Sequence, residues 1–286
     1  MTNIQKYLKS PDVTKLAKST QDLYRYALTH VEKFLEINPV MKNRDHFLAK
    51  NFPEFAAYME RQNLSGKSVQ QYLTCTKIYL KWAGYATSYT YKISNQDRQT
   101  NKRKHLDRWF SSADIDRCLD YQFVNCNGSS LMYRIVVRLL VETGARVGEI
   151  STVQVSDVHI DERYLFVHGK TEPRPVIFSD ETADMLDQYM ATIIEFSGDM
   201  QLFPEVYKLK GVITRMLEDL GLKTKSDGRG PHTFRHYTAT HLFYRCDMRL
   251  EDIAFLLGDK VETIRERYLH PTPEMLRERV YAAWRK

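Results

Sequence analysis

At 286 residues, 43% of them hydrophobic and 27% charged, the chain is long enough for one large domain or two ordinary ones and can bury a core without covalent staples. Its net charge of +6 suits a polyanionic partner without requiring one. Cys75, Cys118, Cys126 and Cys246 lie far apart with no CxxC pair, which argues against a disulfide framework or a zinc knuckle. The opening MTNIQKYLKSPDVTK lacks a signal-peptide core, and no run approaches the ~18 apolar residues of a membrane span, so a soluble cytoplasmic protein is expected.

From Ser19, STQDLYRYALTHVEKFLEI sets Leu23, Ala27, Val31, Phe34 and Leu35 at helical spacing, with Ser19 or Thr20 as N-cap. FPEFAAYMERQ predicts a second helix. After a break at Gly66, Ser68 is placed to cap a third that carries Val69, Tyr72, Leu73, Leu80 and Ala83. Residues 1–90 thus form an N-terminal helical domain.

Residues 91–108 lose this periodicity and are rich in Lys and Arg, as a linker would be. Lys102, Arg103 and Lys104 there are suited either to a solvated tether or to contacts along a phosphate backbone.

Order resumes at 109–286. Ser111 or Ser112 starts a helix with Asp114 in its first turn, and SLMYRIVVRLLVETG reads as a buried helix stopped by Gly144. VSDVHI, RYLFVHG and RPVIFS are strand-like and predict a small antiparallel sheet. Helical spacing then returns and persists to the C-terminus. The fold class is mainly α with one small sheet.

Several side chains in this second region suit phosphate chemistry. Arg146 follows the Gly144 stop, with Glu149 three residues on to fix its guanidinium. Lys170 sits in the turn between two strands, where its ammonium can deliver a proton; Arg174 in the same turn stays charged and is a candidate for DNA contact. His232 and Arg235 open a helix behind Pro231 and share one face, and Tyr268 follows on a later helix. Each alone is weak evidence, Tyr268 above all, since the chain has 18 tyrosines.

As an ordered set, TGARVGE, HGK, HTFRHYTATHL, LLGDKVETIRERY and YLH resemble the motifs of the tyrosine recombinase, or phage integrase, family. LSGKSVQQYLTCTKIYLKWA also looks like a helix of that family's core-binding domain, so the resemblance runs from about Ser19 onward. It implies two domains closing as a clamp on double-stranded DNA at specific sites. It further implies a tetrameric synapse in which a C-terminal helix carrying Leu276, Val280 and Trp284 docks into a neighbouring copy.

By the same resemblance, Tyr268 attacks a phosphodiester to give a 3′-phosphotyrosine, Arg146 and Arg235 neutralise the phosphorane, His232 assists proton transfer and Lys170 protonates the leaving oxygen. No metal or other cofactor is implied. At Asp259 the chain departs from the pattern, carrying LGD where the family has LGH or a tryptophan. An ionised carboxylate there repels a phosphate, so Asp259 is expected to pair with Lys260 or to cap the following helix, leaving the arginines more charge to balance. A type IB topoisomerase and a catalytically degenerate DNA-binding protein are the alternatives.

Overall fold

The computed structural model describes residues 2–39, 43–94, 109–124, 129–169, 172–193, 198–224, 227–269 and 273–284. The chain divides into two compact units, Met1–Arg103 and Lys104–Lys286. No helix among the described residues is long and apolar enough to cross a membrane.

The first unit is all helical: α1 Asn3–Leu8, α2 Pro11–Thr14, α3 Lys18–Ile37, α4 Arg44–Lys50, α5 Phe52–Glu60 and α6 Gly66–Trp82. The long α3 and α6 pack together, burying Leu28, Val31, Phe34, Leu73, Tyr79 and Leu80 with Phe52 and Phe55 of α5. Two expected caps differ. Ser65, not Ser68, caps α6, its hydroxyl accepting the Ser68 N–H at 3.1 Å, so Gly66 begins the helix instead of breaking it. Helix α3 starts at Lys18 behind Ala17, with no side-chain cap. The short helices α1, α2 and α4 have too few residues for their periodicity to stand out. One buried polar group ties α1 and α4 to α6: Asp45 of α4 accepts hydrogen bonds from Asn3 (2.6 Å) and the Tyr79 hydroxyl.

The second unit is organised around α8, Ser130–Thr143, whose Ile135, Val136, Leu139 and Leu140 are fully enclosed. Before it lies α7, Ser112–Leu119, where Ser111 and Asp114 form a reciprocal capping box. After it come the short α9, Val147–Ile150, and a three-stranded antiparallel sheet in the order β1 (Val158–His159), β2 (Tyr164–Val167), β3 (Arg174–Ile177). The register pairs Val158 with Leu165 and Leu165 with Val176, so Leu165 and Val176 share the core face. Only the end of VSDVHI is strand: Val155–Asp157 form a 3₁₀ turn held by the Asp157 carboxylate on the Gln154 N–H (2.8 Å).

Helices α10 (Asp180–Ala191) and α11 (Val206–Asp219) follow, then α12 (Pro231–Tyr244), which packs on α8 through Phe234. Helix α13, Leu250–Leu257, ends at Gly258 in the left-handed region, φ +61°. The helix expected to carry Tyr268 is not a regular α-helix. Val261–Thr263 form one helical turn, α14, which runs into a π turn, Ile264–Tyr268, before α15, Pro273–Trp284. The mainly helical fold with one small antiparallel sheet is as expected.

Candidate active site

Four backbone features bring the site together within the second unit. Gly144 stops α8 with φ +61°, and a Cβ there would lie 2.5 Å from Leu257, so α8 meets the end of α13 only through glycine. Arg146 is then the N-cap of α9; its N–H donates to Glu149 Oε2 (2.8 Å) and its Nη1 to Oε1 (2.8 Å). His232 and Arg235 lie one turn apart on α12, whose first helical residue is Pro231. Tyr268 closes the π turn, its carbonyl accepting the Thr240 hydroxyl (2.8 Å) so that the ring faces α12. Such π turns add a residue to a helical turn and re-aim the side chain at its end.

Arg235 is completely buried, and all its nitrogens are engaged. Nη1 donates to the Gly144 carbonyl (2.9 Å), Nη2 to the Leu257 carbonyl (2.6 Å) and to Asp259 Oδ2, and Nε to the Tyr268 hydroxyl (3.2 Å). Arg146 Nη2 donates to the other carboxylate oxygen, Asp259 Oδ1, at 2.9 Å. Asp259 therefore bridges the two arginines, one oxygen to each. The expected pairing with Lys260 and the expected cap on the next helix are not what is observed: α14 has no side-chain cap. The carboxylate has found the stronger field, two guanidiniums inside a partly buried pocket.

The Tyr268 hydroxyl lies 3.1 Å from Asp259 Oδ2, to which it donates, and 3.5 Å from His232 Nε2. The Tyr268 residue is 3% exposed. Burial pushes its phenol above the ordinary value; Arg235 pulls it back and Asp259 adds to the rise. Burial also works against an ionised Asp259, but the Arg235 hydrogen bond and the charges of Arg235 and Arg146 outweigh it and hold this carboxyl below the usual range.

Behind Arg146 stands a second ion pair. Arg174, expected at the hairpin turn as a DNA contact, stands at the head of β3, the strand that RPVIFS predicts, but is turned inward and 5% exposed, its Nη2 on Glu149 Oε2 (2.8 Å), its Nη1 on Oε1 (3.2 Å) and its Nε on the Leu256 carbonyl (2.9 Å). Its place beside a polar turn gives no sign of that burial. Glu149, at 3% exposure, thus joins Arg146 to Arg174, and those pairings hold its carboxyl low against the opposing effect of burial.

Arg146, Glu149, His232, Arg235, Asp259 and Tyr268 are therefore one cluster. Lys170, Lys102, Arg103 and Lys104 lie outside the described residues. A cleft of about 390 Å³ opens beside Arg146 and His232, lined also by Gly148, Gly230 and Lys210 of α11. Lys210 went unnoticed in the sequence because VYKLKGVITRMLEDLGL reads as an ordinary amphipathic helix. Only the tertiary approach of α11 to α9 gives that lysine a place.

A phenol touching a buried guanidinium, with a second arginine one carboxylate away, is chemically suited to transfer at a phosphorus centre. Residues 109–275 match the phage integrase family, and the chain belongs to that family. Among its relatives are tyrosine recombinase XerA of Saccharolobus solfataricus, 31% identical over 221 residues covering 77% of this chain and 68% of that protein. Another is XerD of Staphylococcus saprophyticus, 24% identical over 97% of this chain and 96% of that one. The fold is similar to that of XerH site-specific recombinase solved on its difH substrate, with TM-score 0.71 at 16% identity over 98% of this chain and 84% of that one.

Proposed function

We propose that the chain performs its family's reaction as a site-specific recombinase, breaking and rejoining double-stranded DNA through Tyr268. The observation that carries this reading is the position of the Tyr268 hydroxyl, 3.2 Å from Nε of the buried Arg235 and in the same pocket as Arg146 and His232. In this reading the nucleophile acts within its own chain. A neutral phenol, with pKa ~10, is a weak nucleophile and needs a positive field and a proton acceptor.

In the proposed reaction, Tyr268 Oη attacks the phosphorus of a phosphodiester and the bond to the 5′ oxygen breaks, leaving a 3′-phosphotyrosine and a 5′-hydroxyl. Arg146 and Arg235 stabilise the charge on the five-coordinate phosphorus, each such contact contributing ~2.7–4 kcal/mol by analogy with oxyanion-hole donors. His232 Nε2 lies 3.5 Å from the attacking Tyr268 hydroxyl. Lys170 protonates the leaving alkoxide, which is far more basic than phenolate. The phosphotyrosine conserves the bond energy, so rejoining is the reverse attack by a 5′-hydroxyl of the same or another duplex.

The basic segment with Lys102, Arg103 and Lys104 belongs, in this reading, to a linker between an N-terminal DNA-binding domain and the catalytic domain. Exchange of strands between two duplexes calls for more than one copy, and we assign α15 to docking on a neighbour within a tetramer. Its Leu276, Val280, Tyr281 and Trp284 are exposed in the single chain, Trp284 by 85%, which supports that role.

The test is covalent capture. A library of duplexes of randomised sequence, each with a nick that lets the 5′-hydroxyl fragment escape, is incubated with the full chain and resolved under denaturing conditions. The expected result is a protein–DNA adduct formed by the native chain and absent from Tyr268→Phe. Binding without any adduct indicates a DNA-binding protein without catalysis. Relaxation of supercoils with no joining of separate sites indicates a topoisomerase.

A further inference from the structure

We infer that Asp259 is the catalytic base, taking the proton from Tyr268 as the phenol attacks. This rests on the reading of Tyr268 as nucleophile and assigns a job to the residue that departs from the family pattern.

Geometry comes first. Asp259 Oδ2 is 3.1 Å from Tyr268 Oη and accepts its hydrogen bond, whereas His232 Nε2 stands at 3.5 Å. The neighbouring carboxylate, Glu149, is committed to Arg146 and Arg174. The backbone holds Asp259 in place: its N–H donates to the Ala254 carbonyl (3.0 Å), and Gly258 before it lies in the left-handed region against the Arg174 guanidinium. Arg146 faces this carboxylate from α9, Arg235 from α12 and Tyr268 from the π turn, with His232 and His236 beside the Tyr268 ring.

Charge then explains why a carboxylate is tolerated. Among the described residues the cluster holds three guanidiniums, Arg146, Arg174 and Arg235, against two carboxylates, Glu149 and Asp259. One phosphodiester anion brings the pocket to balance. When Oη bonds to phosphorus, the phosphorane carries two negative charges. If its proton passes to Oδ2, Asp259 becomes neutral and the total is unchanged: the charge has moved from carboxylate to phosphorane, toward the same guanidiniums. Phosphate entry competes for those guanidiniums, and a carboxylate that loses its cations while gaining an anionic neighbour becomes a stronger base. The neutral carboxylic acid then has an O–H to donate to a phosphorane oxygen. On rejoining, the 5′-hydroxyl gives its proton back to the Lys170 amine as its oxygen bonds to phosphorus, the P–Oη bond breaks and Asp259 returns the proton to Oη.

The experiment uses the full chain with the nicked duplex that captures best, in single turnover. Asp259→Asn keeps the size and an acceptor oxygen for the arginines but cannot take the proton. Adduct formation is expected to slow 10²- to 10⁴-fold near pH 7, the usual contribution of a general base. The deficit should shrink about tenfold per pH unit upward, because phenolate must now form unaided. The same deficit is expected with a sulfur in place of the bridging 5′ oxygen, whose leaving group needs no acid. Asp259→His supplies a neutral acceptor and should flatten the pH profile again.

An Asp259→Asn rate equal to or above native, a deficit independent of pH, or one erased by the sulfur substrate would overturn the assignment. So would an Asp259→His profile as steep as that of the asparagine variant. A native chain that forms no adduct on any duplex sinks the nucleophile reading itself, a result separable from these.

Discussion

Glu149→Gln tests whether the site is held from behind by charge. The native carboxylate accepts four hydrogen bonds, two from Arg146 and two from Arg174, all between 2.8 and 3.2 Å, in a pocket where Glu149 and Arg174 are almost wholly enclosed. Glutamine keeps the shape and one carbonyl oxygen but removes the charge, leaving the buried Arg174 guanidinium with neutral acceptors and no counter-charge. Breaking a buried pair from one side costs about 3–5 kcal/mol. Arg146 is partly exposed and recovers some hydration, which places the expected loss near the lower end, about 3 kcal/mol.

For a unit of this size, about 2–4 °C per kcal/mol converts that loss to a fall in melting temperature of about 6–12 °C. Scanning calorimetry of the full chain reads it directly. Glu149 is held below the ordinary carboxyl range in the folded chain, so its contribution is complete above the unfolded pKa of ~4.3. It fades as pH falls through the lower folded value. The gap between native and Glu149→Gln should therefore be full at pH 7 and close in acid. A gap below about 1 kcal/mol, or one that persists unchanged at pH 2–3, would refute the argument.

Gly258→Ala should lose both stability and adduct formation: φ is +61° and the added Cβ would meet Arg174 at 2.7 Å, displacing the guanidinium that fixes Glu149. The strained backbone alone costs about 1 kcal/mol, and a melting scan beside a cleavage assay checks both effects. Lys210→Ala should weaken binding uniformly across DNA sequences and reduce the slope of log affinity against log salt by about 1, read by fluorescence anisotropy at several salt concentrations. Removing residues after Pro273 should leave single-site cleavage intact and abolish exchange between two duplexes, as gel assays of each step would show. Unchanged exchange by that truncation would count against docking of α15 on a neighbour.

What was legible beforehand is what local chemistry fixes. Gly144 ends an apolar helix because only glycine takes its conformation without cost, and Pro231 opens α12 because its missing N–H is free at a first turn. The Arg146–Glu149 pair is a three-residue event and was visible for the same reason. The partners of Asp259 were not. Arg146 lies 113 residues away and Arg235 24, so no spacing rule connects them, and Lys260 next door was the natural local guess. Arg174 failed likewise: it stands first in the strand-like RPVIFS, but no local signal shows its guanidinium turned inward to partners, Glu149 and Leu256, that come from α9 and α13. The cluster is tertiary; its members are local.

Chemical mapping of the adduct identifies the attacking side chain. The trapped adduct is digested with nuclease and protease, and the nucleotide-bearing peptide is sequenced by mass spectrometry. One modified residue is expected, Tyr268 in the peptide spanning the π turn, linked to a 3′ phosphate. A nucleotide on any other side chain, or a 5′ linkage, would contradict that expectation.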